Sequence, residues 1–340
     1  MKIWVSGFAM LLVLSPMARA ASFDCAKAVT PQEKAICGDT KLSAMDSEMA
    51  TAYQTALDKV SERARKEMRS DQGDWLQWMA TVCRAAQPQA AADLTACMSR
   101  AYRERTEILT SAVMQKGSVL FYMRSRYVES SIKQGIKQDD PMPDAGDYKG
   151  FEAIRMAWPQ ADETGPPFTV WNRAAAIKVS GFSHGGGDEL IRTEVKSATS
   201  SRISILISDE SMGHTAAHPE TAHAGETWKN FHWLLKENRE MLAGDVFRTD
   251  TPWKAALAQR CWAGLKEQFP QPGTLSVSSP RDGALLEVVS NTGNWEIKKE
   301  GLVISFPEYS VAPRASGVNG VNIPWAALKA YVLPGFDPAS

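Results

Sequence analysis

The feature that most constrains this 340-residue chain is where its cysteines fall: Cys25, Cys37, Cys83 and Cys97 lie together near the N-terminus, and Cys261 stands alone. Ahead of them, Lys2, the apolar run Phe8 to Leu14 and the small-x-small triplet Ala18-Arg19-Ala20 have the order of a cleavable export signal, so residues 1–20 are expected to be a signal peptide. The apolar run is too short to span the ~30 Å of a bilayer core, and no cysteine directly follows the cleavage point. The chain is therefore expected to be periplasmic, with no membrane anchor. In an oxidising compartment, four cysteines in so short a stretch read as two disulfides. Their spacings of 12, 46 and 14 residues fit neither zinc knuckles nor a redox C-x-x-C. Three pairings are possible, and easier closure of short loops favours Cys25–Cys37 with Cys83–Cys97. Cys261, on an amphipathic helix, is expected to be a buried, inert thiol.

Residues 21–117 read as a helical domain. Thr30-Pro31 opens a short helix with a capping hydroxyl, a proline in the first turn and Glu33 at the third helical position, and Cys37-Gly38 closes it. Leu42, Met45, Met49, Tyr53, Leu57 and Val60 then form one stripe of 3.6 period. Gly73 is expected to break the chain before Trp75, Leu76 and Met79, and a last helix places Leu94, Cys97, Ala101, Ile108 and Ala112 on or near one face. The dense charges from Glu62 to Arg69 read as a solvated surface.

Residues 118–340 read as a second, α+β domain. Val119–Val128, Arg202–Ser208, Phe231–Leu235, Leu285–Val289, Trp295–Lys298 and Leu302–Phe306 are expected strands. The stretch 138–148, with Asp139, Asp140, Asp144 and Asp147, is an expected acidic loop. Thr251-Pro252 caps a helix running from Trp253 to Phe269, and Pro324–Lys329 reads as a last short helix. Strand–helix–strand alternation is scarce, which favours a mainly antiparallel sheet. The expected whole is multidomain: an N-terminal all-α, disulfide-stapled domain followed by an α+β domain.

Two families are resembled. Asp24-Cys25, Glu33-Lys34-Ala35-Ile36-Cys37, Leu42, Asp46, Tyr53, Gln72, Trp75-Leu76, Cys83, Cys97, Tyr102, Arg105 and Leu109 together are similar to the N-terminal domain of the LprI-type lysozyme inhibitors, over residues ~22–112. One departure is that Met79-Ala80 stands where that family has an Arg-Asp pair: a lost partner contact if the pair binds, a packing replacement if it is structural. In the second half, Arg202 to Ile205, Met212-Gly213, Ala216-Ala217-His218-Pro219 and Met241 to Phe247 resemble the C-terminal domain of RsiV-like anti-sigma factors. Leu302 to Phe306, Tyr309-Ser310-Val311-Ala312-Pro313, Gly317 and Val321-Asn322-Ile323-Pro324 continue that likeness. Trp158-Pro159 and Trp171-Asn172 stand where the family has Tyr-Pro and Phe-Asn, so the resemblance covers residues ~150–335. It implies an extracellular lysozyme-sensing domain. The membrane helix and cytoplasmic segment of such a receptor are missing, so no sigma-factor circuit is expected.

The chemistry-bearing motifs are few. Gly181-Phe182-Ser183-His184-Gly185 satisfies G-x-S-x-G, whose serine works only on a strand-to-helix turn above a parallel sheet. Lys178-Val179 would have to end that strand, and Gly185-Gly186-Gly187 is a poor helix start, so a glycine loop is favoured over a hydrolase. His214, His218 and His223 have a spacing that suits zinc on a helix, but Gly213, Pro219 and Gly225 favour a loop. No catalytic residue, metal or cofactor is expected. Removing Lys2 and Arg19 leaves 36 basic against 39 acidic residues, a net of about −3, so nucleic acid is not an expected partner. The reading is a secreted binding protein that inhibits lysozyme by covering its cleft, through loops chosen from 181–187, 211–226 and 307–320; the alternatives are a cell-envelope serine hydrolase using Ser183 and a periplasmic module with no lysozyme role.

Overall fold

The computed structural model describes residues 21–85, 91–131, 151–183, 188–212, 225–313 and 317–338. The acidic stretch 138–148 and His184, His214, His218, Pro219 and His223 lie outside them. Four helices come first: α1 (Pro31–Gly38), α2 (Thr40–Leu57), α3 (Glu62–Ala85) and α4 (Ala91–Thr110). Thr30 and Glu33 form the expected capping box at α1, with the Thr30 hydroxyl accepting from Glu33 N at 3.1 Å and Glu33 Oε2 accepting from Thr30 N at 2.8 Å. Those backbone donors hold the Glu33 carboxyl below its usual pKa. The disulfides are Cys25–Cys37 and Cys83–Cys97, with Cα separations of 5.7 and 5.6 Å.

Two expectations fail in α3. Gly73 does not break the helix: α3 runs through it for 24 residues, because Trp75, Trp78 and Met79 on one side bury enough apolar surface to carry it. Nor is Glu62–Arg69 only a solvated face. Ala64 and Met68 are buried against the following sheet, and Arg63 and Glu67 reach it too.

That sheet has seven strands in chain order: β1 (Val113–Lys116), β2 (Val119–Ser131), β3 (Phe151–Ala161), β4 (Asp188–Ala198), β5 (Arg202–Met212), β6 (Gly225–Leu234) and β7 (Arg239–Glu240). Every pair is antiparallel except β3–β4. A parallel pair needs a crossover, here α5 (Pro166–Ser180), whose Trp171, Ala175 and Val179 are buried on the sheet beside Phe231 and Ile205. Asn172 clamps the end of β3, accepting from Ala161 N at 2.7 Å and donating to Ala161 O at 3.0 Å.

β1 covers only Val119–Tyr122 of β2. Beyond it, Ala112 on the link from α4 to β1 and Asp71 on α3 meet the outer edge of β2. Met123 N donates to Ala112 O at 2.7 Å, and Ser125 N donates to Asp71 Oδ2 at 2.9 Å. Buried Asp71 also accepts a two-pronged bond from Arg124, at 2.8 and 2.9 Å, while Glu67 accepts from Arg124 at 2.8 Å and from the Tyr122 hydroxyl at 2.5 Å. Arg155 pairs with Glu104 at 2.6 Å, and Arg63 donates to Ala161 O at 3.1 Å.

The C-terminal part is a three-stranded antiparallel sheet, β8 (Trp295–Ile297), β9 (Gly301–Ile304) and β10 (Val321–Pro324), ordered β10-β9-β8. It packs with α6 (Trp253–Gln268), α7 (Gly283–Ser290) and α8 (Trp325–Leu328) around Phe247, Trp253, Cys261, Leu285 and Trp295. Residues Leu285–Val289, expected as a strand, belong to helix α7. Asp282 caps it by accepting from Ala284 N, and Leu285, Val288 and Val289 fall on one helical face. Thr251 does not cap α6; its hydroxyl donates to Arg248 O instead. Cys261 is free and buried, and burial pushes its thiol up to about 12.

Gly73 is solvent-exposed in mid-helix, and a Cβ there meets nothing within 4 Å. Gly73→Ala is expected to stabilise the protein by about 0.5–1 kcal/mol, read as a raised urea midpoint; a lowered midpoint would show that α3 bends at this point.

Candidate functional site

The segment joining β9 to β10, described except for residues 314–316, presents an exposed tyrosine from a fixed base. Its base is fixed: Phe306, Val311 and Ala312 are buried, and Ser276 N donates to Val311 O at 2.9 Å. Between those anchors the chain makes a turn in which Ser310 N and Ser310 Oγ both donate to Pro307 O, at 3.0 and 2.6 Å. Tyr309 stands on that turn with φ of 61° and 67% of its surface exposed. A left-handed backbone costs a non-glycine residue of order 1–3 kcal/mol and persists only where the surroundings impose it. The turn therefore presents a large amphipathic ring to solvent from a rigid base. Pro313 is exposed just beyond it, and Pro324 ends β10 and leads into α8.

The other two candidate loops are only partly described. Ser183 follows helix α5 and precedes strand β4, the reverse of the strand-to-helix order that a catalytic elbow needs. Lys178-Val179, which such an elbow would need at the end of a strand, are in the last turn of α5, where Lys178 pairs with Glu240 at 2.8 Å. The Ser183 hydroxyl donates to Glu189, and no histidine among the described residues is placed beside it. Loop 211–226 is described only at its strand ends. Among the described residues no group of three or more His, Cys, Asp or Glu is placed to hold a metal.

The described histidine, His232, is structural. It lies on β6, fully buried, and joins the two sheets: Nδ1 is 2.8 Å from Ser204 Oγ on β5, and Nε2 is 2.9 Å from Trp295 O on β8. A carbonyl accepts only a proton, so Nε2 carries the hydrogen and the neutral ring takes the Ser204 proton at Nδ1. Burial, reinforced by Arg202, pushes its pKa down to about 4 against the pull of the Trp295 carbonyl.

Of the family-motif residues of the helical half, Trp75, Tyr102 and Arg105 are interior, whereas Glu33 lies at the surface and Asp24, Lys34 and Leu76 are exposed. Glu33 caps α1, Trp75 is core, and the buried Tyr102 donates to Asp46 at 3.0 Å. Arg105, 3% exposed, donates to Gln72 Oε1 at 2.9 Å, Ser125 Oγ at 2.9 Å and the Tyr127 hydroxyl at 3.0 Å. At the departure from the family pattern, Met79 is buried in the core and the Ala80 carbonyl accepts from Gln32, so packing occupies the place of the Arg-Asp pair. Asp71, Glu67 and Arg124 were not legible as a cluster. The available signal was the pair of arginines, Arg124 and Arg126, inside an otherwise apolar strand.

Comparison with known proteins agrees with this two-part organisation. Residues 25–115 match the family model "Lysozyme inhibitor LprI", and residues 244–326 match "Protein of unknown function (DUF3298)". The second match is narrower than the resemblance read over ~150–335. No curated protein sequence matches the chain. Solved structures similar to it include a DUF3298 family protein from Pseudomonas aeruginosa PAO1, at 11% identity and a TM-score of 0.38, covering 62% of this chain and 94% of that one. A DUF3298 family member from Bacteroides fragilis NCTC 9343 is similar at 13% identity and a TM-score of 0.40, covering 65% and 96%.

Because the folded-state pKa of His232 lies below its unfolded value, the associated stability is complete above about pH 6.5 and is lost as pH falls toward 4. Between pH 7 and 5 the loss is about 2 kcal/mol. His232→Gln, which keeps a donor toward Trp295 O, is expected to lack this acid-sensitive component in urea titrations at the two pH values; identical pH dependence in both proteins would refute it.

Proposed function

We propose that this is an exported protein that binds lysozyme and blocks it sterically, without chemistry of its own. The observation that carries the reading is that one chain joins a segment matching the LprI lysozyme-inhibitor family to a segment resembling the lysozyme-sensing domain of RsiV-like proteins. Periplasmic location follows from the export signal and the disulfides Cys25–Cys37 and Cys83–Cys97. No described helix is long and apolar enough to cross a membrane.

Lysozyme cuts glycosidic bonds between two carboxylates in a cleft. A protein that seats about 800 Å² of its surface across that cleft excludes the polysaccharide. The Tyr309 turn suits the task. A tyrosine brings a broad ring and a phenolic hydroxyl at the cost of few rotatable bonds, which is why tyrosines recur as anchors in protein interfaces. Its turn is held by Pro307, Ser310 and the buried Val311, so little order is lost on binding. Near-neutral net charge means that association is not broadly steered toward a basic enzyme.

Titration of the mature protein into c-type and g-type lysozymes, with cell-wall lysis followed in parallel, is expected to show stoichiometric inhibition of at least one type. Tyr309→Ala is expected to weaken that inhibition by about 30-fold, the loss of roughly 2 kcal/mol that defines an interface anchor. Wild-type protein that binds neither lysozyme would refute the reading.

A further inference from the structure

On α3 and α4 the residues by which the helical segment resembles the lysozyme inhibitors are buried, Leu76 apart. Trp75 and Tyr102 are core, and Arg105 is committed to Gln72 on α3 and to Ser125 and Tyr127 on β2. Beside it, α3 offers Asp71 to the Ser125 amide and to Arg124, and Glu67 to Arg124 and Tyr122. The apolar part of the contact, Leu57, Val60, Ala64 and Met68 against Tyr122, Met123 and Ala157, is buried as well.

From this we infer that the Arg105-bearing face of the helical module is a docking surface used in cis. Its partner is the outer edge of β2, and a soluble lysozyme is met by the C-terminal part of the chain instead. Three observations support it. Among the described residues no strand pairs with the outer edge of β2 beyond Tyr122, and an uncovered edge is a template for unwanted pairing. The charges complement: the helices bring Glu67, Asp71 and Glu104, while the strands bring Arg124 and Arg155. The backbone also complements, since Ala112 O and Asp71 Oδ2 meet the Met123 and Ser125 amides, the alternate donors that an added strand would meet. The second half of the inference, where lysozyme binds, rests on the proposed function; the first half does not.

The test uses the full mature chain and two conservative variants, Asp71→Asn and Arg105→Lys. Amide exchange reads the docking, and lysozyme affinity reads the consequence. Asp71→Asn removes a charged acceptor and is expected to speed exchange of the Ser125 amide by about tenfold or more. Affinity for lysozyme is expected to stay within about threefold of wild type in both variants. Tyr309→Ala is expected to leave Ser125 exchange unchanged. A wild-type Ser125 amide that exchanges as fast as an uncovered strand edge would overturn the docking. Loss of affinity by tenfold or more in Arg105→Lys, with melting temperature and Ser125 protection unchanged, would overturn the exclusion of this face from the partner contact. If wild-type protein binds no lysozyme, the functional reading falls, and Ser125 exchange still decides the docking.

Discussion

A single carboxylate does the work of a missing strand. Among the described residues no strand pairs with the outer side of β2 beyond Tyr122, and a buried amide left without an acceptor costs more than a satisfied one contributes. Asp71 removes that liability at Ser125 and, in the same stroke, neutralises Arg124. Burial opposes the Arg124 charge, but Asp71 and Glu67 outweigh it and hold the guanidinium above its ordinary pKa. Removing Arg124 alone would leave the buried Asp71 without its counter-charge, a penalty of roughly 3–5 kcal/mol, whereas Arg124 without Asp71 keeps Glu67. The helices and the sheet thus meet through contacts that neither would keep if separated.

That arrangement gives the two halves different jobs. The helical half, with Trp75, Tyr102 and Arg105 turned inward and its disulfides closing short loops, supports the sheet. The C-terminal half carries the exposed tyrosine of the β9–β10 segment. Tyr309 adopts a left-handed backbone beside the buried Phe306, Val311 and Ala312. His232 links the halves of the second region, tying β5 and β6 to β8 through one neutral ring.

Much of the helical half was legible because its signals are local. The Thr30/Glu33 capping box, the stripe from Leu42 to Leu57 and the short cysteine loops each depend on residues a few positions apart. Failures came where distant packing outvoted local preference. Gly73 costs about 1 kcal/mol in a helix, yet Trp75, Trp78 and Met79 keep α3 continuous. Leu285–Val289 is a short apolar run of the kind that periodicity cannot assign, and the Asp282 cap decides for helix. Helix α5 was missed because its Ala-rich stretch lies between Pro166-Pro167 and Gly181, which read as loop punctuation. The charges at Arg63 and Glu67 looked solvated because their partners, Tyr122 and Arg124, are some 55 residues away. For the candidate site, the sequence marked Tyr309 as part of a resembling phrase, but its outward presentation depends on burial of residues on both sides.

A hydrogen-exchange footprint of the full mature protein with and without a saturating lysozyme tests the central claim most directly. The account predicts new protection at the turn around Tyr309, while the Met123 and Ser125 amides are already protected and do not change. New protection across α3 and α4, with the Tyr309 turn unaffected, would contradict it.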